Sequence, residues 1–205
     1  MVIAKAPVAG RSKTRLCPPC SPVQAAELAE AALADTLEAV AATTCGGRTL
    51  VLDGPPGDWL PPGFDVVPQV EGDLGLRLAD AFSTVEGKAL LIGMDTPQVT
   101  PDLLEVAIDR LREESTDGVL GLCFDGGYWA IGFDGQRTGV FQGVPMSEET
   151  TGERQLARMR QLDMSVAELP VLADVDFYED ALGVAAGMSG GRFVEALARM
   201  EPADA

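Results

Sequence analysis

The stretch Lys5-Ala6-Pro7-Val8-Ala9-Gly10-Arg11-Ser12-Lys13-Thr14-Arg15-Leu16 holds two of the chain's three lysines, and no acidic residue precedes Glu27. Lys5, Arg11, Lys13 and Arg15 thus form a cationic island on a chain whose formal net charge is -17. Lys and Arg side chains, with backbone N–H groups beside a glycine such as Gly10, are the groups that hold phosphate. The competing reading is an N-terminal arm pairing with the acidic surface, which needs neither Gly10 nor an apolar strand before it.

Acidic candidates lie further along. Asp95 follows the apolar run Ala89-Leu90-Leu91-Ile92 with two residues between, and Pro97 turns the chain away. A carboxylate delivered there, facing a phosphate-binding loop, suits Mg2+ or Mn2+, hard cations that favour carboxylate and phosphate oxygens. As a turn residue Asp95 would bond local backbone instead. The cluster from Asp174 through Asp176 to Asp180 reads as helix capping, or, paired with Asp95, as the source of a second metal ligand. Gln69, Gly72, Asp73, Gly75 and Arg77 form a polar loop suited to a base edge and a ribose, or an ordinary strand-to-helix turn. Asp125-Gly126-Gly127 lets a second substrate approach backbone, or makes a hairpin turn. Trp129 reads as core or pocket wall.

The cysteines point elsewhere. Cys17 and Cys20 have the spacing of a metal knuckle or redox pair, but there is no second pair of that kind and no histidine. A zinc site would need Cys45 and Cys123 to converge with them. The missing histidine also excludes Ser-His-Asp and Cys-His mechanisms.

The elements that must position these residues alternate. Val2 to Ala6 reads as a buried strand. Ser21-Pro22 then opens a helix with a capping box, its apolar face carrying Ala29, Leu33, Leu37 and Val40. Strands follow at Arg48 to Leu52 and Phe64 to Val67, then a helix capped by Asp73. Ala89 to Ile92 is an apolar run expected of a strand covered on both faces. Thr100-Pro101 opens a helix, Gly118 to Leu122 and Tyr128 to Phe133 read as strands, and the Thr150 to Glu153 spacing predicts a capping box opening a helix through Leu162. This alternation predicts an α/β fold: three layers, α/β/α, around a mostly parallel, doubly wound sheet, as one domain over 1–205. Ligands bind such sheets at the carboxyl ends of the strands.

At 205 residues, with 46% hydrophobic and 23% charged content, the chain has the composition of a globular protein. The acidic balance argues against nucleic-acid polymers. No apolar run reaches the ~20 residues of a membrane span, and the start is too short in apolar residues for a signal peptide, so a cytoplasmic protein with no membrane partner is expected.

Six segments in register, KAPVAGRSKTRL, QVEGDLGLR, GMDTPQVTPDLL, FDGGYWAIGF, FQGVPMS and LADVDFYEDAL, resemble the selenodomain-associated "transferase 1" family over nearly the whole chain. That family belongs to the glycosyltransferase-A (GT-A)-like nucleotide-diphospho-sugar transferase superfamily, which also holds nucleotidyltransferases. The resemblance implies phosphate contacts at Lys13 and Arg15, with Gly10 and Arg11 in the same nucleotide-binding loop, and a base contact at Gln69 near Arg77. It implies a metal on Asp95 and Asp176, Asp174 being less suited, and acceptor contacts at Asp125, Gly126 and Gly127. Lys13 and Asp95 are the expected catalytic residues. Here the segment before Gly126 reads GLCFD where the pattern has GPAxD. The expected activity is nucleotidyl transfer from a nucleoside triphosphate to a small-molecule acceptor. The alternatives are glycosyl transfer from a nucleotide sugar, and nucleotide binding without catalysis.

Overall fold

The computed structural model describes residues 1–135 and 137–200. Val2–Lys5 (β1) is a short strand at the heart of the sheet, bonded to Thr49–Asp53 (β2) on one side and Lys88–Ile92 (β4) on the other. Beyond β2 lies Asp65–Pro68 (β3). Beyond β4 come Tyr128–Asp134 (β6), Gly118–Cys123 (β5) and Val166–Leu172 (β7), giving the order β3-β2-β1-β4-β6-β5-β7. Only β6 runs against its neighbours; the other pairings are parallel. The α/β reading therefore holds, and six strands deliver their carboxyl ends to one edge.

Helices cover both faces. Pro22–Ala42 (α1) and Pro101–Arg112 (α3) pack Leu33, Leu37, Leu104 and Leu111 onto one side. Leu74–Ser83 (α2) and Thr151–Gln161 (α4) pack Leu78, Phe82, Leu156 and Met159 onto the other, where Phe82 stacks on Phe133 with ring centroids 4.0 Å apart. A third cluster joins Leu16 and Cys20 to α1 and to Tyr178–Gly187 (α5) and Arg192–Ala198 (α6), centred on the fully buried Leu16 and Phe193. Burying a leucine or phenylalanine side chain is worth ~1.5–3 kcal/mol each, so the basic loop has a firm root beside it.

Three helix starts match their sequence signals. Ser21 and Gln24 form the capping box of α1, Asp73 accepts from Leu76 N–H, and Thr100 accepts from Leu103 N–H. The fourth starts where the sequence put it, with Thr150 as the N-cap residue, but Thr150 makes no side-chain cap bond; the neighbouring Thr151 hydroxyl ties the approach instead, accepting from Glu148 N–H and donating to the Pro145 carbonyl. A buried hydroxyl with two local partners outcompetes an exposed one. Among the described residues no helix is long and apolar enough to cross a membrane.

Candidate active site

The basic loop leaves β1 at Lys5 and folds back at once. Ser12 donates to the Ala6 carbonyl at 3.2 Å and accepts from Val8 N–H at 3.0 Å. Gly10 has φ +76°, with open space where a Cβ would sit, so its glycine serves the turn rather than a close contact. Lys13 is also left-handed, at φ 49° and ψ 41°, and opens the 3-10 turn Thr14–Leu16. That turn buries Leu16, points the Lys13 side chain inward at 12% exposure and leaves Arg15 outward at 67%.

Lys13 meets the acids. Asp95 follows β4 in a loop held by Gly93 N–H on the Trp129 carbonyl and by Val175 N–H on the Asp95 carbonyl. Lys13 Nζ lies 2.7 Å from Asp95 Oδ1 and 3.3 Å from Asp176 Oδ1, while Arg15 Nη1 lies 2.7 Å from Asp176 Oδ2. Burial pulls the Lys13 ammonium down, but Asp95 and then Asp176 outweigh it, so its pKa lies above the ordinary value and it stays charged. The capping reading of the acidic cluster is realised in one residue, and another meets the basic loop. Asp180 caps α5, accepting from Phe177 N–H at 2.7 Å, whereas Asp176 faces the basic loop.

Beneath these groups lies a cavity of about 420 Å³. Gln69 and Arg77 line it, but the Gln69 amide donates to the Ala4 and Val51 carbonyls and accepts from Arg77, tying β1 to β2. Arg77 also donates to the Gly72 carbonyl and lies 3.9 Å from Asp53. Lys5 and Arg11, both exposed and lining the cavity, form no ion pair among the described residues. Trp129, 2% exposed with its indole N–H on the Pro170 carbonyl, is core and pocket wall at once.

The Asp125-Gly126-Gly127 turn joins β5 to β6 at the same edge. Asp125 accepts from Gly127 N–H at 2.7 Å. Gly126 has φ +90°, and a Cβ there would strike the Glu149 carbonyl; its own carbonyl accepts from Gly152 N–H. The close approach these glycines permit is thus to the chain's own Glu149–Gly152 segment, and Asp125 is the member of the trio that keeps an exposed side chain.

Two residues gain weight from the structure. Cys123, Asp125 and Asp174 bring a sulfur and two carboxylates within 4.8 Å of one another. Burial and then Asp125 push the Asp174 carboxyl up to about 6, and burial with the surrounding acids pushes the Cys123 thiol up. Val175 between Asp174 and Asp176 is 2% exposed, and in extended chain the two residues flanking a buried one share the opposite face, so both carboxylates stand at the site, where Asp176 and Lys13 also act on Asp174. The Asp-Val-Asp spacing was the available signal; nothing in the sequence marked Cys123 as a neighbour of Asp174. Cys17 and Cys20 join no such group among the described residues, and all four thiols are free.

The DUF2064 family model, described as an uncharacterized protein conserved in bacteria, matches residues 27–148. The chain belongs to this family. The matched span holds Gln69, Arg77, Asp95 and Asp125 and leaves Lys13, Arg15 and Asp176 outside it; it names DUF2064 rather than the transferase family that the motifs resemble. No curated protein matches the DUF2064 chain. Among solved structures it is similar to a protein from Desulfovibrio desulfuricans provisionally assigned as a nucleotide-diphospho-sugar transferase, at 26% identity and TM-score 0.83, covering 96% of this chain and 90% of that one. A cytidylyltransferase from Leptospira borgpetersenii shares the fold at 14% identity and TM-score 0.58, with 96% and 90% covered. So does Rv0371C of Mycobacterium tuberculosis, in complex with manganese, at 23% identity and TM-score 0.51, with 89% and 95% covered.

Proposed function

We propose that this chain is a metal-dependent, nucleotide-using transferase, and that its reaction is nucleotidyl transfer from a nucleoside triphosphate to a small acceptor. The observation that carries the reading is the meeting of Lys13 and Arg15 with Asp95 and Asp176 above the cavity. The names of its structural relatives, a nucleotide-diphospho-sugar transferase and a cytidylyltransferase, support the coarser part.

The residues fit a hard dication. Asp95 and Asp176 already converge on one positive charge, the Lys13 ammonium, and offer only oxygen. The manganese complex of a relative with the same fold agrees with this chemistry. Mg2+ or Mn2+ held there supplies neutralisation of charge on phosphate oxygens. Lys5, Arg11, Lys13 and Arg15 bind the polyphosphate, Gln69 and Arg77 lie under the nucleoside, and Asp125 orients the acceptor. The acceptor oxygen bonds to the α-phosphorus, the bond from that phosphorus to the bridging oxygen breaks, and pyrophosphate leaves with the electron pair, held by the cationic loop. Asp174, titrating at about 6, is suited to take the proton of an acceptor hydroxyl.

Glycosyl transfer is the second reading, favoured by the assignment of the Desulfovibrio relative. Against it, the position two before Asp95 is Gly93, so the β4 loop lacks a paired Asp-x-Asp. The test offers the protein nucleoside triphosphates or nucleotide sugars with a panel of phosphorylated and hydroxylated acceptors. Pyrophosphate release that Asp95→Ala abolishes in a folded protein is expected. Nucleoside diphosphate release would establish glycosyl transfer. No turnover, with nucleotides still raising Tm, would leave a binding protein.

A further inference from the structure

We infer that the ligand of this site is a polyphosphate already carrying its divalent cation, and that Lys13 bars the bare cation from Asp95 and Asp176. The inference rests on the metal reading of those two acids given above and adds a requirement on how the cation enters.

The ammonium lies 2.7 Å from Asp95 Oδ1 and 3.3 Å from Asp176 Oδ1, on a side chain 12% exposed. A dication on the same oxygens would meet a full positive charge at contact distance, from an ammonium that water reaches little although the Asp95 and Asp176 side chains are 43% and 31% exposed. Lys13 must therefore withdraw before the cation can settle. A withdrawn ammonium in a mostly buried position needs another anion, because an unpaired buried charge is strongly disfavoured. Arg15, 67% exposed, stands on the outer side of the same acids. It holds Asp176 Oδ2 and lies over the Phe177 ring, 5.9 Å from the centroid.

A metal–polyphosphate complex meets both needs together. Its cation takes the carboxylates while its phosphate oxygens take Lys13 and Arg15, so no charge is left bare. The backbone favours the exchange. Lys13 sits in the left-handed region, disfavoured for a residue with a β-carbon, and loss of its ion pairs removes one constraint that holds it there. Free cation lacks the anion that Lys13 requires, and free polyphosphate must compete with the carboxylates for Lys13. Each ligand therefore strengthens the other, and linkage makes the factor equal in both directions, in the range of ~5–150-fold.

The experiment uses the full chain, with Mn2+ binding followed by electron paramagnetic resonance in the absence of nucleotide. Wild type is expected to bind Mn2+ weakly, and Lys13→Met to bind it on the order of tenfold more tightly. Lys13→Arg keeps the charge and should remain weak. Lys13→Gln repeats the neutral case if the methionine variant fails to fold, thermal melting being the check on each. With inorganic tripolyphosphate as probe, wild type should gain affinity when Mn2+ replaces chelator, and the neutral variants should lose most of that gain. Mn2+ binding no tighter in the folded neutral variants than in wild type overturns the inference. Asp95→Ala, measured with Mn2+ and tripolyphosphate together, separates the two levels: if it keeps the wild-type Mn2+ affinity there, the metal reading itself fails. If it loses Mn2+ while Lys13→Met gains nothing, only the barrier fails.

Discussion

Asp174 and Asp176, two positions apart, face different neighbours. Val175 is buried and bonded to the Asp95 carbonyl; Asp176 pairs with Lys13 and Arg15, and Asp174 lies beside Asp125 and Cys123. Asp174 is raised from 3.8 to about 6, so the folded chain keeps a proton the unfolded chain has lost across that window. Stability from this group is present below the lower value and falls as pH rises through the upper one. Asp174→Asn should therefore stabilise the chelator-treated protein at about pH 8, by ~1 kcal/mol after discounting for solvent at a half-exposed group, and not at about pH 3.5. Urea melts at the two pH values measure it, and an equal effect at both would remove Asp174 as a strained carboxyl. The cationic loop and Asp95 were legible as candidates because residue type announces their chemistry. The separate partners of Asp174 and Asp176 were not, since they depend on which loops of other strands come together at the same edge.

Among the elements, β7 escaped the sequence reading. Val166–Leu172 contains Pro170 and buries only Leu169 well, the pattern of an edge strand, where a proline costs no ladder bond on the open side. The reversed β6 was open to either reading, because the turn that makes its hairpin also suits a substrate loop. The α1, α2 and α3 starts were readable, since a cap is a local bond between nearby residues. The start of α4 was readable in position but its capping box was not formed, because the bonded hydroxyl is that of Thr151, buried by tertiary packing and held by Glu148 and Pro145. Thr151→Ala should cost ~1–3 kcal/mol through an orphaned Glu148 N–H and Pro145 carbonyl, whereas Thr150→Ala should stay within ~0.5 kcal/mol. Chemical denaturation of the pair decides between them, and the reverse ranking would return the cap to Thr150.

For the molecule as a whole, the net charge of -17 is a source of self-repulsion that the basic loop relieves only locally. Raising ionic strength from ~0.01 to ~0.15 M shortens the screening length from ~30 to ~8 Å. Tm in the absence of ligand should rise by about 2–4 °C if ~1 kcal/mol of repulsion is removed. A scanning calorimetry series in monovalent salt measures this, and a falling Tm would mean that ion pairs outweigh the repulsion.

Leu16 lies one residue past Arg15 and shares its cluster with Phe193 of α6, while both Asp35 carboxylate oxygens hold the backbone at the start of that helix, on Arg192 and Phe193 N–H. The last helix is thus the ballast of the loop that opens the chain. Asp35 does not line the cavity, yet Asp35→Ala should slacken the seat of Leu16 and weaken tripolyphosphate binding through the tilt of the loop. Titration of the variant, with the wild-type melting profile of the sheet as control, reads that leverage directly. In this chain the basic loop after β1 is seated on a helix from the far end of the described residues.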